Sequence, residues 1–301
     1  MDFIKNIGKD EIRDGFLVTT DRKKAWNKMM ELLAEIDRIC KNHSIKYFAE
    51  GGTLIGAARH NGFIPWDDDL DISMLRPDYE RFKQVAGQEL RYPVIASSAY
   101  TSGEILTIMK VMDVETAAIE EMDGHRQQGI FIDIWPLDDI TDGSGRVQAV
   151  WDIRQSLIAA INNPVGTLEE IQKGTQFRPS NDFIRAFIDL PVLERFKEYE
   201  KFCNNHFGES ENIGYQFSKI MGIKGNLKLK YYRDVVYLPF ESVEIPVPVD
   251  YEKVLEAEFG NWRKFVRARS FHELQYMSAD VGYKEIQAKV KHELKTVAER
   301  A

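Results

Sequence analysis

The sequence predicts an α/β fold, a β-sheet flanked by helices, followed by a mostly helical C-terminal region. Three observations predict it. Apolar residues recur at helical spacing from Asp21 to about His43. A strand, a glycine turn and a short helix follow between Lys46 and His60. Four apolar or alternating runs then lie between Tyr92 and Trp135, after which Val147–Ile161 and Phe183–Phe207 return to a helical pattern.

In the first helix, Trp26, Met29, Met30, Leu33, Ile36, Ile39 and Cys40 share one face, and Thr20 or Asp21 is placed to cap its free N–H groups. Lys46–Ala49 reads as a strand broken by Gly51-Gly52, and Thr53–His60 as a helix that stops at Asn61-Gly62. Leu70–Met74 alternates as a strand does, and Pro77 suits the first turn of a helix running from Asp78 to about Leu90. Tyr92–Ala96, Ile105–Met112, Thr116–Glu120 and Gly129–Trp135 are the expected middle strands, with His125 in an exposed turn. A boundary falls at Asp142–Gly145, giving a core over 1–141 and a mostly helical region over 142–301 that packs on it. Within that region 231–249 is extended, Asp250 caps a helix ending at Phe259-Gly260, and a charged helix begins at Tyr283.

Composition narrows the function. A chain of 301 residues with 44% hydrophobic content can bury a full core. Its net charge of −8 argues against a nucleic-acid partner, because neutralising a phosphate backbone needs a basic surface. Cys40 and Cys203 are the only cysteines and have no ligand-like spacing, which excludes a disulfide framework and a zinc motif. With no apolar run long enough to span a bilayer, the expectation is a soluble cytoplasmic protein.

Chemistry concentrates in two segments. Alternation along a strand aims Asp69 and Asp71 to one face while Leu70 and Ile72 turn to the core. Like charges held together raise their own energy unless a cation or a shared proton intervenes, and Mg²⁺, with Mn²⁺ as the alternative, suits such oxygen ligands. A solvated acidic turn is the competing reading. Gly51-Gly52-Thr53 at a strand-to-helix junction lets backbone N–H groups approach a phosphate, with the Thr53 hydroxyl as a further donor; a tight turn alone would also explain the glycines. Asp133 lies in Gly129–Trp135, opposite the face of Ile130, Ile132 and Ile134, where a charge needs a partner: a metal shared with Asp69 and Asp71, a neighbouring backbone to cap, or a buried arginine. Asp138 and Asp139, after Pro136, read as loop formers held in reserve.

The stretch FAEGGTLIGAARHNGFIPWDDDLDISMLRPDYERF (Phe48–Phe82) resembles the signature of the LicD family of phosphocholine transferases, within the nucleotidyltransferase-fold superfamily. GIFIDIWPLD (Gly129–Asp138) and LPFESVEIPVPVDYEKVLEAEFGNW (Leu238–Trp262) are similar to the same family, while about 147–230 is not. The resemblance implies a nucleotidyltransferase-like mixed sheet and a Mg²⁺-dependent transferase. It would move a phosphoalcohol, typically phosphocholine from CDP-choline, onto a sugar hydroxyl of a cell-surface glycan or its lipid-linked precursor. It places the family's glycine pair on Gly51-Gly52, its D-x-D on Asp69 and Asp71, and its third acid on Asp133. A membrane-bound acceptor would bring the protein transiently to the inner face of the membrane.

Supporting residues have two readings each. Arg59 and His60 suit a phosphate or the helix C-terminus, Lys110 a phosphate or an ion pair, and Trp66 a base, a quaternary ammonium or the core. Glu50 and Glu241 carry no derived role. The alternatives in function are a nucleotidyltransferase that donates NMP and releases pyrophosphate, and a non-catalytic glycan-binding protein, whose mark would be loss of one of the three acids.

Overall fold

The computed structural model describes residues 2–102, 107–122, 124, 126–141, 143, 145–215, 227–267 and 276–300. His125 and the start of the expected strand Ile105–Met112 lie outside them. The chain opens with a hairpin, β1 (Glu11–Arg13) and β2 (Phe16–Val18), turned by Asp14 at φ 48° and Gly15 at φ 74°. Successive left-handed residues suit an Asp-Gly hairpin turn, a signal present in the sequence and not used. Then come α1 (Thr20–Asn42), β3 (Phe48–Ala49), α2 (Gly51–His60), β4 (Asp71–Leu75), α3 (Arg76–Glu89), β5 (Val94–Ser97), a short α4 (Ala99–Ser102), β6 (Met109–Asp113), β7 (Ala117–Ile119) and β8 (Ile130–Asp139). Four helices follow, α5 (Gly145–Asn162), α6 (Pro164–Gln172), α7 (Asn181–Ile188) and α8 (Val192–Asn205). The chain closes with β9 (Asn212–Gly214), β10 (Leu227–Lys228), β11 (Val235–Phe240), β12 (Val243–Pro248), α9 (Tyr251–Phe259), β13 (Tyr276–Ser278) and α10 (Tyr283–Arg300).

The α/β class is therefore what the chain adopts. A mixed seven-stranded sheet is built around β8. On one edge β8 pairs in parallel with β4, which pairs antiparallel with β3. On its other edge β6 pairs with Ile130–Ile134 and β9 with Asp138–Asp139, and β5 and β10 lie outside them. Period-two alternation sends Ile72, Met74, Val111, Ile132 and Ile134 to one face, all fully buried, where α1 and α3 cover them. Truncating Ile132 to alanine would cost about 2–5 kcal/mol, the range for a large-to-small change in a packed core. The opposite face carries Asp71, Asp133 and Lys110, and thus the polar chemistry.

The helical pattern of Phe183–Phe207 is realised as two helices, α7 and α8, parted at Pro191, which lacks the N–H that a continuous helix would need. Two local expectations are corrected. Thr19, not Thr20 or Asp21, caps α1, its hydroxyl accepting the Arg22 amide at 3.2 Å. Asp138 and Asp139 end strand β8 instead of forming a loop. Asp138 makes a buried two-point pair with Arg76 at 2.7 and 2.6 Å, and Asp139 accepts the amides of Gly208 and Ser210 at 3.1 and 2.8 Å.

After residue 142 the chain divides between two cores. Leu157, Ile161, Ile184, Phe187, Phe196 and Tyr199 of α5, α7 and α8 form a separate apolar cluster. Beyond 210 the chain returns to the sheet: β9 and β10 extend it, β12 lies along β3, and α9 packs on α2. That return brings the C-terminal segment over the acids.

Candidate active site

The glycine turn is built by sterics and one cap. Gly51 sits at φ 51°, in the left-handed region that favours glycine, and opens α2 two residues earlier than the expected Thr53. Glu50 is the N-cap; its own carboxylate accepts the Gly51 amide at 3.2 Å. At Gly52 the constraint is different: a Cβ there would lie 2.5 Å from Asp67 Oδ2 and would push that carboxylate aside. The first turn of α2 thus lies directly against the acids, Gly52 beside the Asp67 carboxylate and Gly51 beside that of Asp71.

Two hydrogen bonds tie this turn to the acidic strand. The Glu50 amide donates to the Asp71 carbonyl at 3.1 Å, and the Asp71 amide donates to Thr53 Oγ1 at 2.9 Å. Thr53, expected to touch phosphate, is buried and fastens the start of β4 to α2. Asp69 precedes β4 instead of lying within it, yet both Asp69 and Asp71 line one cavity.

Register sets the rest. Asp71 stands opposite Asp133 in the parallel β4–β8 pair, Asp133 opposite Lys110 in β6, and Lys110 opposite Ser97 in β5. A polar row therefore crosses four neighbouring strands on one face. Lys110 Nζ lies 3.2 Å from Asp133 Oδ1 and 3.6 Å from the centre of the Phe131 ring, so its ammonium balances a carboxylate that is almost wholly buried. Trp135, two residues on from Asp133, donates its indole N–H to Asp71 Oδ1 at 3.2 Å.

Asp67 is the ligand candidate that the sequence reading passed over. Asp67, Asp68 and Asp69 each offer a carboxylate oxygen within 4.8 Å of the others, and no other such group of three occurs among the described residues. Burial, then the charge and hydrogen bond of Asp69, then Asp71, push the Asp67 carboxyl well above its usual range. Its backbone is fixed in place: the Asp67 carbonyl accepts Arg22 Nη1 at 2.5 Å and Trp26 Nε1 at 3.1 Å. An all-oxygen set of carboxylates, crowded enough to hold back ionisation, fits a hard divalent cation.

These acids open into a cavity of about 370 Å³ shared with Gly52, Arg59, Trp66, Trp262 and Lys264. Arg59 serves chiefly as a strap: its Nη1 donates to the carbonyls of Trp262 and Lys264 at 2.8 and 3.2 Å, and its guanidinium covers the Phe265 ring at 4.5 Å. Trp66 is half-buried and meets Phe16 and His60 edge-on, at 6.3 and 6.2 Å between ring centres. His60 is paired with Asp14 at 2.9 Å; burial and then Arg59 lower its pKa, so it is a weak cation. Glu241 staples the exit of α2, taking Arg13 at 2.6 Å and the Phe63 amide at 3.3 Å.

Behind the glycine turn Glu50 meets a second acid, Glu258 of α9, with Tyr215 donating to Glu258 Oε1 at 3.4 Å. Burial and, for Glu258, the neighbouring Glu50 raise both carboxyls. No helix among the described residues is long and apolar enough to cross a membrane.

The mixed sheet thus sets Asp71 and Asp133 side by side, close to a Gly-Gly helix start. Residues 44–157 match the family described as LicD/FKTN/FKRP, nucleotidyltransferase domain. Over 238 residues, 78% of this chain and 88% of the relative, the sequence is 24% identical to the lipopolysaccharide cholinephosphotransferase LicD of Haemophilus influenzae. Over 45 residues, 15% of this chain and 9% of the relative, it is 44% identical to the ribitol 5-phosphate transferase FKRP of human and of mouse. Residues 44–157 are therefore similar to the LicD family, and the relatives that share the similarity include transferases of phosphocholine and of ribitol 5-phosphate.

Proposed function

We propose that this protein transfers a phosphoalcohol, phosphocholine from CDP-choline in the first instance, to a sugar hydroxyl of a cell-surface glycan or its lipid-linked precursor. The observation that carries the reading is the placement of Asp67, Asp69 and Asp71 in one cavity with Gly52 of the first turn of α2, with Asp133 beside Asp71 in register. The resemblance over most of the length of a cholinephosphotransferase supports the choice of phosphocholine as the group moved.

Each group then has a task. First-turn amides of α2 receive phosphate oxygens, favoured by the positive end of the helix. Asp69 and Asp71, with Asp67, would hold Mg²⁺ or Mn²⁺; such an ion, when bound, neutralises phosphate charge and polarises the reacting oxygens. Asp133, balanced by Lys110, takes the proton of the acceptor hydroxyl as its oxygen bonds to phosphorus and the bond from phosphorus to the CMP oxygen breaks. Trp66 and Trp262 offer aromatic faces for a base or a quaternary ammonium in the cavity beside the acids. The site works in the cytoplasm, at the inner membrane face when the acceptor is lipid-linked.

The test is to incubate the purified protein with Mg²⁺, a panel of CDP-alcohols (choline, ribitol, glycerol) and candidate glycans, following CMP release and mass gain on the glycan. Glycan-dependent CMP release with one CDP-alcohol is expected. Pyrophosphate release from a nucleoside triphosphate, with no CMP from any CDP-alcohol, would replace this reading with nucleotidyl transfer.

A further inference from the structure

The segment Phe259–Arg267 reads FGNWRKFVR and forms a lip of the cavity that holds the acids: Phe259, Lys264 and Val266 line it together with Asp67, Asp69 and Asp71. Gly260, at φ 66°, ends α9, and the chain beyond it is anchored by the buried Trp262 and by Arg59, which donates to the carbonyls of Trp262 and Lys264. Held in this way, the lip presents apolar side chains to water. Phe259, Phe265 and Val266 are 46%, 52% and 61% exposed.

The first hairpin adjoins this lip. Arg267 covers the Phe16 ring at 4.9 Å, and His60, paired with Asp14 of the hairpin turn, stands 5.2 Å from Phe265 between ring centres. Ile12 and Leu17 lie directly opposite one another in the β1–β2 register and so share a face, at 66% and 52% exposed. Five exposed large apolar side chains are thus carried by two segments in contact with each other beside the acids.

A single exposed apolar residue is ordinary on a protein surface, whereas several gathered on one lip mark a contact. The charge beside them identifies the partner. Arg263, Lys264 and Arg267 are all exposed, and no acidic residue lies between Phe259 and Arg267, in a chain whose net charge is −8. Arg263 has Glu252 at 2.8 Å and Glu256 at 3.7 Å, but all three side chains are more than half exposed, and ion pairs of that kind are weak and screened. A soluble anion would use the cations and leave Phe265 and Val266 wet. A surface of anionic headgroups over hydrocarbon satisfies both sets, because apolar side chains enter the acyl boundary while cations meet phosphate.

We infer that the lip Phe259–Arg267, with the adjoining hairpin, docks on an anionic membrane surface and holds the cavity mouth against the bilayer. The inference deepens the reading given above and rests on it for a lipid-linked acceptor, whose effective concentration at the site rises when enzyme and acceptor share one surface.

Flotation of the full chain with vesicles of phosphatidylcholine, with and without phosphatidylglycerol, tests this and needs neither donor nor acceptor. The wild type is expected to float with the phosphatidylglycerol vesicles, to stay in solution with phosphatidylcholine alone, and to dissociate as salt rises. Phe265→Ser with Val266→Ser, and separately Arg263→Gln with Arg267→Gln, should each weaken partition by at least about tenfold, with thermal melts checking the fold. Phe183→Ser, which removes a half-exposed aromatic ring from α7, should leave partition within about twofold. The inference is overturned if the wild type ignores phosphatidylglycerol vesicles, if either folded lip variant binds as the wild type does, or if Phe183→Ser alone loses binding. A dimer in solution that Phe265→Ser with Val266→Ser dissolves would also overturn it, giving the lip to a second copy of the chain. Docking without CMP release from any CDP-alcohol would sink the proposed reaction and leave the docking surface standing, and CMP release without docking would do the reverse.

Discussion

Asp71 and Asp133 face one another across the parallel pairing of β4 and β8, although 62 residues separate Thr53's partner Asp71 from the acid in β8. Lys110 completes the row from the other side of β8.

Asp71→Asn is expected to abolish CMP release without lowering Tm. The amide keeps the shape of the side chain and can still meet the Trp135 indole through its oxygen, while one like charge leaves the cluster with Asp67 and Asp69. Asp133→Asn should reduce kcat by about 10²–10⁴-fold, the range for loss of a general base. Steady-state kinetics and a thermal melt on both variants check this; full turnover in Asp71→Asn would remove it from the reaction.

Gly52→Ala tests the cradle. The added methyl would lie 2.5 Å from Asp67 Oδ2, the mobile end of a side chain, so Asp67 must swing away while the helix is kept. Stability should change by no more than about 1 kcal/mol, because alanine is the better helix former. Activity and the rise in Tm on adding Mg²⁺ should both fall. The same Tm increment with Mg²⁺ in variant and wild type would show that Asp67 takes no part in cation binding.

Metal binding should depend on pH with a definite sign. The Asp67 carboxyl is raised well above its ordinary 3.8, so the metal-free fold loses stability as pH climbs from about there through the raised value. A cation needs the ionised form, so the Tm increment produced by Mg²⁺ should grow from pH 5 to pH 8. Differential scanning fluorimetry with and without Mg²⁺ measures it, and an increment that shrinks toward pH 8 would contradict the assignment.

Local sequence carried the chemistry further than the wiring. The Gly51-Gly52 turn and the acids of 67–71 lie within about twenty residues, so periodicity and turn chemistry expose them directly. Asp67 was passed over because alternation along a strand selects Asp69 and Asp71, whereas Asp67 is brought to Gly52 by a loop that folds back on α2. Lys110 had two open readings, phosphate or ion pair, and only the register of β6 on β8 shows the pairing with Asp133. Glu258, Trp262 and Lys264 reach the site from the C-terminal return of the chain, a contact of long sequence separation that no local pattern encodes. The Asp14-Gly15 turn of the first hairpin, by contrast, is encoded locally, in a dipeptide that suits two successive left-handed residues.

Glu258→Gln should stabilise the protein at alkaline pH. Burial and then Glu50 hold the Glu258 carboxyl well above its ordinary 4.5, so the folded chain keeps a proton that the unfolded chain releases. Wild-type stability therefore falls as pH rises above about 4.5 toward the raised folded value, and glutamine removes that loss. The variant's Tm should exceed the wild type's at pH 8, with the gap closing toward pH 4. A gap that is constant with pH would assign the gain to packing.

Asp138→Asn should be the most damaging of these changes to the fold. Burial alone would raise the Asp138 carboxyl, but Arg76 and Arg154 overcome it and hold it below its ordinary 3.8. A depressed acid stabilises the fold above its unfolded pKa, and the contribution is lost as pH falls through the folded value. Removing the charge leaves the fully buried Arg76 guanidinium without its two-point partner, a loss of about 3–5 kcal/mol for breaking a buried pair. Arg76 retains Glu80 at 3.1 Å, which favours the lower end of that range. Denaturant melts at pH 7 should show the drop in the single variant, and a joint Arg76→Met, Asp138→Leu replacement should recover only part of it, because Arg154 and Glu80 still lose a counter-charge. If the single variant is as stable as the wild type, Asp138 is not a structural ion-pair partner, and its place at the end of β8 would have to be explained by the reaction instead.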